Sequence, residues 1–239
     1  MTLTGVVNGI GGLIKNGTGA LTLSGNNGLL GNTTLNAGAL ILGSNNALGL
    51  VGTLNTANNT TLDTTGAVTV GNAVNVSGNL NLGGSNNLTL NGAIGGTGGL
   101  TKNGAANLII NGANTFLAGT VLNGGTLTVN TNSALGTGNL TVGGAGTLDS
   151  AAGISLANGI DLNADLTLAG TNDLTLGGVI GGTNQLIKNG AGLLTINGAN
   201  TYQGGVTLNA GGLNLGSGAA LGTGALTVAG ASSWATQRG

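Results

Sequence analysis

The sequence contains no proline, no cysteine and no histidine, and only one residue each of phenylalanine, tyrosine and tryptophan. Without cysteine there are no disulfides and no thiolate sites, a state that fits either redox compartment. Without histidine or glutamate, most of the side chains that perform acid–base chemistry are missing. Charged residues make up 4% of the chain and the net charge is −1, which removes any electrostatic case for nucleic acid or anionic membrane as a partner. No apolar run approaches the roughly 18 residues of a membrane-spanning helix. Three aromatics are too few for the girdles of a membrane barrel. The opening MTLTGVVNGIGGLIKNG has no basic region, apolar core or cleavage site, so neither an export signal nor membrane insertion is expected of this segment.

What is abundant is glycine, 53 residues of 239, with Asn, Thr and regularly placed Leu, Val and Ile. Gly, Asn and Thr disfavour helix. An apolar fraction of 40% with almost no net charge is not the signature of disorder.

One stretch is written three times. Residues 178–204 read GVIGGTNQLIKNGAGLLTINGANTYQG, residues 92–118 read GAIGGTGGLTKNGAANLIINGANTFLA, and residues 5–31 read GVVNGIGGLIKNGTGALTLSGNNGLLG. Lys15, Lys102 and Lys188 mark the same point, 87 and then 86 residues apart. The one-residue difference falls in the loop Leu50-Val51-Gly52, where the second copy has Thr137-Gly138. A loop tolerates such a change, whereas a slip inside a strand would turn its core residues outward.

A shorter period lies inside the long one. Val68, Leu88 and Leu108 are 20 apart, as are Ile154, Leu174 and Leu194. Three apolar sites recur within each 20, spaced 6, 6 and 8, many of them opening triplets such as Val68-Thr69-Val70 or Leu88-Thr89-Leu90. Period-2 alternation puts the two aliphatics on one face of a short strand and the Thr or Asn on the other. Gly and Asn between them supply tight turns.

This pattern predicts an all-β fold, a single-stranded right-handed parallel β-helix (β-solenoid) with three short strands per coil of about 20 residues. A left-handed hexapeptide helix is the rival for the 6-residue steps, and the 8-residue third step argues against it. The domain expected over residues 1–231 comprises long repeats at about 5–91, 92–177 and 178–231. At the spacing of stacked strands it forms a rod on the order of 55 Å long. The stacking predicts Asn87 over Asn107 and Asn91 over Asn111, with amides able to form ladders.

Residues 181–213, GGTNQLIKNGAGLLTINGANTYQGGVTLNAGGL, with Ala220-Leu221-Gly222-Thr223-Gly224 and Leu226-Thr227-Val228 after them, resemble the autotransporter-associated β-strand repeat. The likeness recurs at 95–142 and more loosely at 8–55. The resemblance implies a right-handed β-helix in the passenger region of a large bacterial surface or secreted protein. It implies an extracellular or cell-surface location and, as partners, host or neighbouring-cell surface glycans or proteins. Neither the export signal nor the translocator barrel of such proteins is seen in this chain.

No catalytic, cofactor-binding or metal residues are expected, and no cofactor. There is no G-x-S-x-G and no complete nucleotide-binding glycine pattern, and Gly95-Gly96-Thr97-Gly98-Gly99 reads as turns. Asp161, Asp165 and Asp173 stand where the second copy has Asn75, Asn79 and Asn87, which points to shape and hydrogen bonding rather than to calcium. Asp149, after Gly143-Gly144-Ala145-Gly146, is out of step with a calcium β-roll. Lys15, Lys102 and Lys188 read as solvated charges that discourage lateral pairing; the functional alternative is a spaced basic row for anionic glycans. Leu29, Phe116 and Tyr202 are equivalent and read as packing residues.

The function expected is that of a structural or adhesive rod without catalytic residues. An ice-binding or glycan-binding β-solenoid is the alternative, set against outward ladders such as Thr69–Thr89–Ile109 and Ser155–Thr175–Thr195 that are one residue wide and mixed. Residues 232–239 break the repeat, with Thr236-Gln237-Arg238-Gly239 continuing no strand, and are expected to be poorly ordered or laid loosely on the last coil and to leave an end prone to end-to-end self-association.

Overall fold

A computed structural model describes residues 1–229 and 232–236. All the paired strands are parallel, the described residues contain no helix, and about 12 coils stack into a solenoid. Strands of two to five residues are separated by turns. Triplets inside the rod keep the alternation read from their residues: in Leu88–Leu90 and Leu174–Leu176 both leucines are buried and the Thr between them is not. The inward side chains form one continuous column of Leu, Val and Ile along the rod. Each fully buried one contributes roughly 1.5–3 kcal/mol, and each coil depends on the coils beside it for that burial.

The strands lie on three faces. Face I is a ten-stranded sheet running from Thr2–Leu3 to Ile180–Gly182. Face II starts with Asn8–Gly9 and Gly28–Leu29 and resumes as nine strands from Val68–Val70 to Leu226–Val228. Face III has five strands from Leu13–Lys15 to Ile94–Gly95 and five more from Ile154–Leu156 to Ser233–Thr236.

The register follows the sequence period. Leu88 pairs with Leu108, so Asn87 and Asn91 lie one coil from Asn107 and Asn111. The Asn91–Asn111 pair is an amide ladder, Asn111 Nδ2 donating to Asn91 Oδ1 at 2.6 Å. The other pair is different: Asn87 Oδ1 accepts from the backbone N–H of Asn107 at 3.0 Å, because the strand has not yet opened and its first amide is free. The extra loop residue is also where the repeat comparison puts it. Leu40 pairs with Leu62, 22 residues on, whereas the equivalent Leu127 pairs with Leu148, 21 residues on.

The long repeat is not a whole number of coils. Four coils carry the chain from Leu108 through Leu127, Leu148 and Leu168 to Lys188, six residues short of Leu194, which stands 86 after Leu108. Six residues are one strand-to-strand step. Each long repeat therefore turns the pattern by one face: Leu13–Lys15 lies on face III, Gly99–Lys102 on face I and Leu186–Lys188 on face II.

The expectation that the chain continues no strand from Thr236 onward fails at Thr236. Ser233–Thr236 forms a strand paired with Gly212–Leu215, with Trp234 beside Leu213. The open edge of Gly212–Leu215 presents backbone groups that any extended segment can satisfy, whatever its side chains. All four residues remain exposed. The part of the tail expectation that concerns residues 237–239 lies outside the described residues.

Candidate functional site: the breaks in the three faces

Each long repeat shortens or interrupts one face over two coils, the Asn27 coil keeping the two-residue strand Gly28–Leu29. The first of these coils carries the segment around Asn27, Asn114 or Asn200, and the next carries the turn Ala47-Leu48-Gly49, Ala134-Leu135-Gly136 or Ala220-Leu221-Gly222. The breaks fall on faces II, III and I in turn, where the ladders stop or shrink.

The main chain still bonds from coil to coil here, as from the Thr115 N–H to the Ile94 carbonyl at 2.9 Å, but with the ladder reduced some backbone groups need other partners. The asparagine supplies them. Asn114 Oδ1 accepts from the N–H of Ile94, 20 residues before it, at 2.7 Å, and its Nδ2 donates to the carbonyl of Ala134, 20 residues after it, at 2.7 Å. Asn27 does the same with Val7 at 2.8 Å and Ala47 at 2.7 Å, and Asn200 with Ile180 at 2.7 Å and Ala220 at 2.8 Å. One side-chain amide thus joins three successive coils. All three asparagines are buried, where a satisfied hydrogen bond is strong and a missing one costly.

Two residues further on, Phe116 and Tyr202 fill the gap the lost strand leaves and are fully buried, while their equivalent Leu29 is buried at the end of the short strand Gly28–Leu29. The Tyr202 hydroxyl donates to the Ala220 carbonyl at 3.2 Å, and burial raises its pKa above the usual tyrosine value. Their role as packing residues is confirmed. Glycine closes the turn above them. At Gly136 φ is +64° and a Cβ would lie 2.3 Å from the Phe116 carbonyl oxygen, so neither the conformation nor the space admits a side chain.

The lysines are not where either sequence reading placed them. Lys102 is 1% and Lys188 4% exposed, and both occupy inward strand positions: Lys102 lies between Leu82 and Leu122, Lys188 between Leu168 and Leu208. The aliphatic stem runs in the core column and the ammonium emerges at the turn. Lys102 Nζ donates to the carbonyls of Asn103, Gly104 and Gly124 at 3.4, 3.1 and 3.0 Å. Lys15 Nζ meets those of Asn16, Gly17 and Ala37 at 3.1, 2.6 and 3.0 Å. Lys188 donates to Gly190 and, at 3.4 Å, to Ala210. The charge thus holds its own turn and the turn 22 residues on. Desolvation lowers the pKa of Lys102 and Lys188, with Asp173 opposing the effect at Lys188. Neither solvated charges nor a basic row describes them: two are buried, and the three point from three different faces.

The aspartates act as backbone partners. Asp173 Oδ1 accepts from the N–H of Leu193 at 2.9 Å, the bond Asn87 makes to Asn107 one repeat earlier. Asp63 and Asp149 each accept from the next N–H, that of Thr64 at 2.9 Å and that of Ser150 at 2.7 Å. Asp63 also takes the Ser85 hydroxyl at 2.6 Å, and Asp165 takes the Gln185 amide at 3.0 Å. Asp161 accepts from Asn139 at 3.1 Å. Among the described residues no three acidic side chains come together as a metal site. The outward ladders are mixed as the sequence implies, with Thr69, Thr89, Ile109, Thr128 and Asp149 in succession on face II.

The roles of Asn27, Asn114 and Asn200 and of the three lysines are missed by the sequence reading. A signal for the lysines exists: Leu100-Thr101-Lys102 follows Leu80-Asn81-Leu82 by 20, which sets Lys in an inward slot.

Comparison with curated proteins and with solved structures gave no match. The family model of the Passenger-associated-transport-repeat matches residues 13–42, 100–129 and 186–215. Each of these windows opens on the lysine strand and contains the lysine cage, the bridging asparagine and the plug residue. The family model of the Passenger-associated-transport-repeat thus matches once in each long repeat.

Proposed function

We propose that the chain is a structural passenger segment of a bacterial surface or secreted autotransporter-like protein: a stiff rod that spaces or presents other parts and adheres through its polar outer surface. The observation that carries this reading is the use to which the chain puts its scarce polar chemistry. The carboxylates hold backbone amides, hydroxyls or side-chain amides, and each lysine described holds turn carbonyls. Asp63 and Lys102 line one small pocket together, but each is already held by bonds of its own, the carboxylate by the Thr64 N–H and the Ser85 hydroxyl and the ammonium by turn carbonyls, so the reading assigns the chain no catalysis. The three passenger repeats, one per face, support it further, because the same unit is offered in three directions along one rod.

The test is to place the chain between an export signal and a translocator barrel in a Gram-negative host. The expected result is labelling of intact cells by an antibody to the chain and its removal by added protease. Retention inside the cell envelope would reject the passenger reading. Binding of the displayed chain to a glycan array or to neighbouring cells tests the adhesive part separately.

A further inference from the structure

An Asn-Gly step exposes the asparagine side chain to attack by its own backbone, since the glycine that supplies the nitrogen has no side chain to hinder it. Two such steps stand in the same local sequence one long repeat apart, Lys102-Asn103-Gly104-Ala105 and Lys188-Asn189-Gly190-Ala191. Their side chains also take part in equivalent ladders. Asn103 Oδ1 accepts from Asn123 Nδ2 at 2.8 Å, and Asn189 Oδ1 from Asn209 Nδ2 at 2.7 Å. In both, the donor faces the oxygen that gathers negative charge when a nucleophile adds to the side-chain carbonyl carbon.

The two steps differ on the side of the attacking nitrogen. The Lys102 ammonium lies 3.4 Å from the Asn103 carbonyl oxygen, which belongs to the same peptide group as the Gly104 nitrogen. A cation there favours loss of the amide proton, because the charge left on nitrogen is shared with that oxygen. Lys188 instead turns its ammonium to the Gly190 and Ala210 carbonyls. The Gly190 N–H is occupied, donating to the Leu168 carbonyl at 3.2 Å, whereas the Gly104 N–H makes no such bond among the described residues. Gly104 is exposed and Asn103 half-buried, so water reaches both. The bridging Asn27 is closed by comparison: its side chain is buried and the Gly28 N–H donates to the Val7 carbonyl at 3.0 Å.

We propose that Asn103 is a site of self-modification, at which the folded turn converts its own asparagine to aspartate and isoaspartate. The Gly104 nitrogen loses its proton to solvent and attacks Asn103 Cγ. A new C–N bond forms, the bond from Cγ to Nδ2 breaks, and the proton returns through water to the departing ammonia. The five-membered succinimide that remains takes up one water at either carbonyl and opens to aspartate or isoaspartate. Lys102 stabilises the nitrogen anion and Asn123 the oxyanion on Oδ1. Either product sets a carboxylate next to Lys102 that can still accept from Asn123, so the chain gains a negative charge and keeps its ladder. The inference rests on this turn alone and goes beyond the passenger reading.

The whole chain is incubated in mildly alkaline buffer, folded and in parallel in urea, and conversion at each asparagine is followed by peptide mapping with mass spectrometry. In the folded chain Asn103 should convert about tenfold faster than Asn189, the ratio that one charge-assisted contact supplies. In urea the two rates should converge, because the local sequences match. Lys102→Met keeps an unbranched stem without the charge and should bring Asn103 down to the rate of Asn189. Asn123→Leu removes the other donor and should slow Asn103 while leaving Asn189 unchanged. Equal rates at Asn103 and Asn189 in the folded chain would overturn the proposal, and so would an undiminished rate at Asn103 in either folded variant. If Lys102→Met loses its β circular dichroism, the comparison within the wild-type chain and Asn123→Leu decide the matter.

Discussion

Lys15 and Lys102 make the same three bonds in different surroundings. Lys102 has a coil on either side, Leu82 below it and Leu122 above, and is 1% exposed. Lys15 belongs to the first coil, pairs only with Leu35, and is half-buried. The difference shows that the cage is local to a turn, while its desolvation is a property of the stack. Burial lowers the pKa of Lys102 for this reason. The same contrast runs through the molecule: equivalent positions differ in exposure because they differ in how many neighbouring coils they have.

The largest expected effect comes from breaking a link that spans three coils. Asn114→Ala strands the Ile94 N–H and the Ala134 carbonyl, both inside the stack, and should cost about 4 kcal/mol of unfolding free energy, read from urea melts by circular dichroism. Asn27→Ala strands the equivalent pair beside the open first coil, where Val7 is half-buried and water can replace the lost bond. Its cost should be about half as large. Equal losses at the two sites would show that neighbouring coils do not set the strength of the link.

Next in size is the lysine pair itself. Lys102→Ala removes a buried stem and leaves three carbonyls without their donor, for about 3 kcal/mol. Lys15→Ala should cost below about 1 kcal/mol, because water replaces an exposed partner. The comparison also has a form in pH. The folded pKa of Lys102 lies below its ordinary 10.5, so the unfolded chain holds that proton more tightly and stability rises as pH climbs towards 10.5. Tyr202 acts with the opposite sign. Its folded pKa is raised above 10.0, so the unfolded chain ionises first and stability falls as pH passes 10.0. The melting temperature should therefore turn over near these values, and Lys102→Ala should flatten the rising limb.

The smallest effect should be a gain. Thr33, Thr120 and Val206 are equivalent inward residues, and the hydroxyls of Thr33 and Thr120 are buried without a partner. Thr120→Val makes the second repeat like the third and should stabilise by about 1 kcal/mol. A loss of stability in the same urea melt would mean that the hydroxyl has a partner in solution.

Much of this fold is legible in the sequence because a solenoid repeats its neighbourhoods. Val68, Leu88 and Leu108 pair as their 20-residue spacing requires, and the extra residue at Leu50-Val51-Gly52 falls in a loop. The exchange of Asp173 for Asn87 conserves a bond, as the copies suggest. The links across the breaks are harder to see. Asn114 bonds to backbone groups of Ile94 and Ala134, and backbone groups leave no mark in the identities of those residues. The strand at Ser233–Thr236 is hidden for the same reason, since its pairing to Gly212–Leu215 is made by main chain alone.

By itself the sequence determined the period, the strand triplets, which aliphatic side chains point inward and the equivalence of the three long copies. These follow from alternation along a strand and from a strict spacing that any stacked register must obey. Only the tertiary structure decided what that equivalence is worth at each place. It turned each copy by one face, because 86 residues exceed four coils by one strand step. It drew Lys102 and Lys188 into the core column, because a long aliphatic stem can be buried while its ammonium reaches turn carbonyls of the next coil. It left Trp234 exposed where Leu148 is buried, because burial in a one-dimensional core depends on whether another coil lies on top.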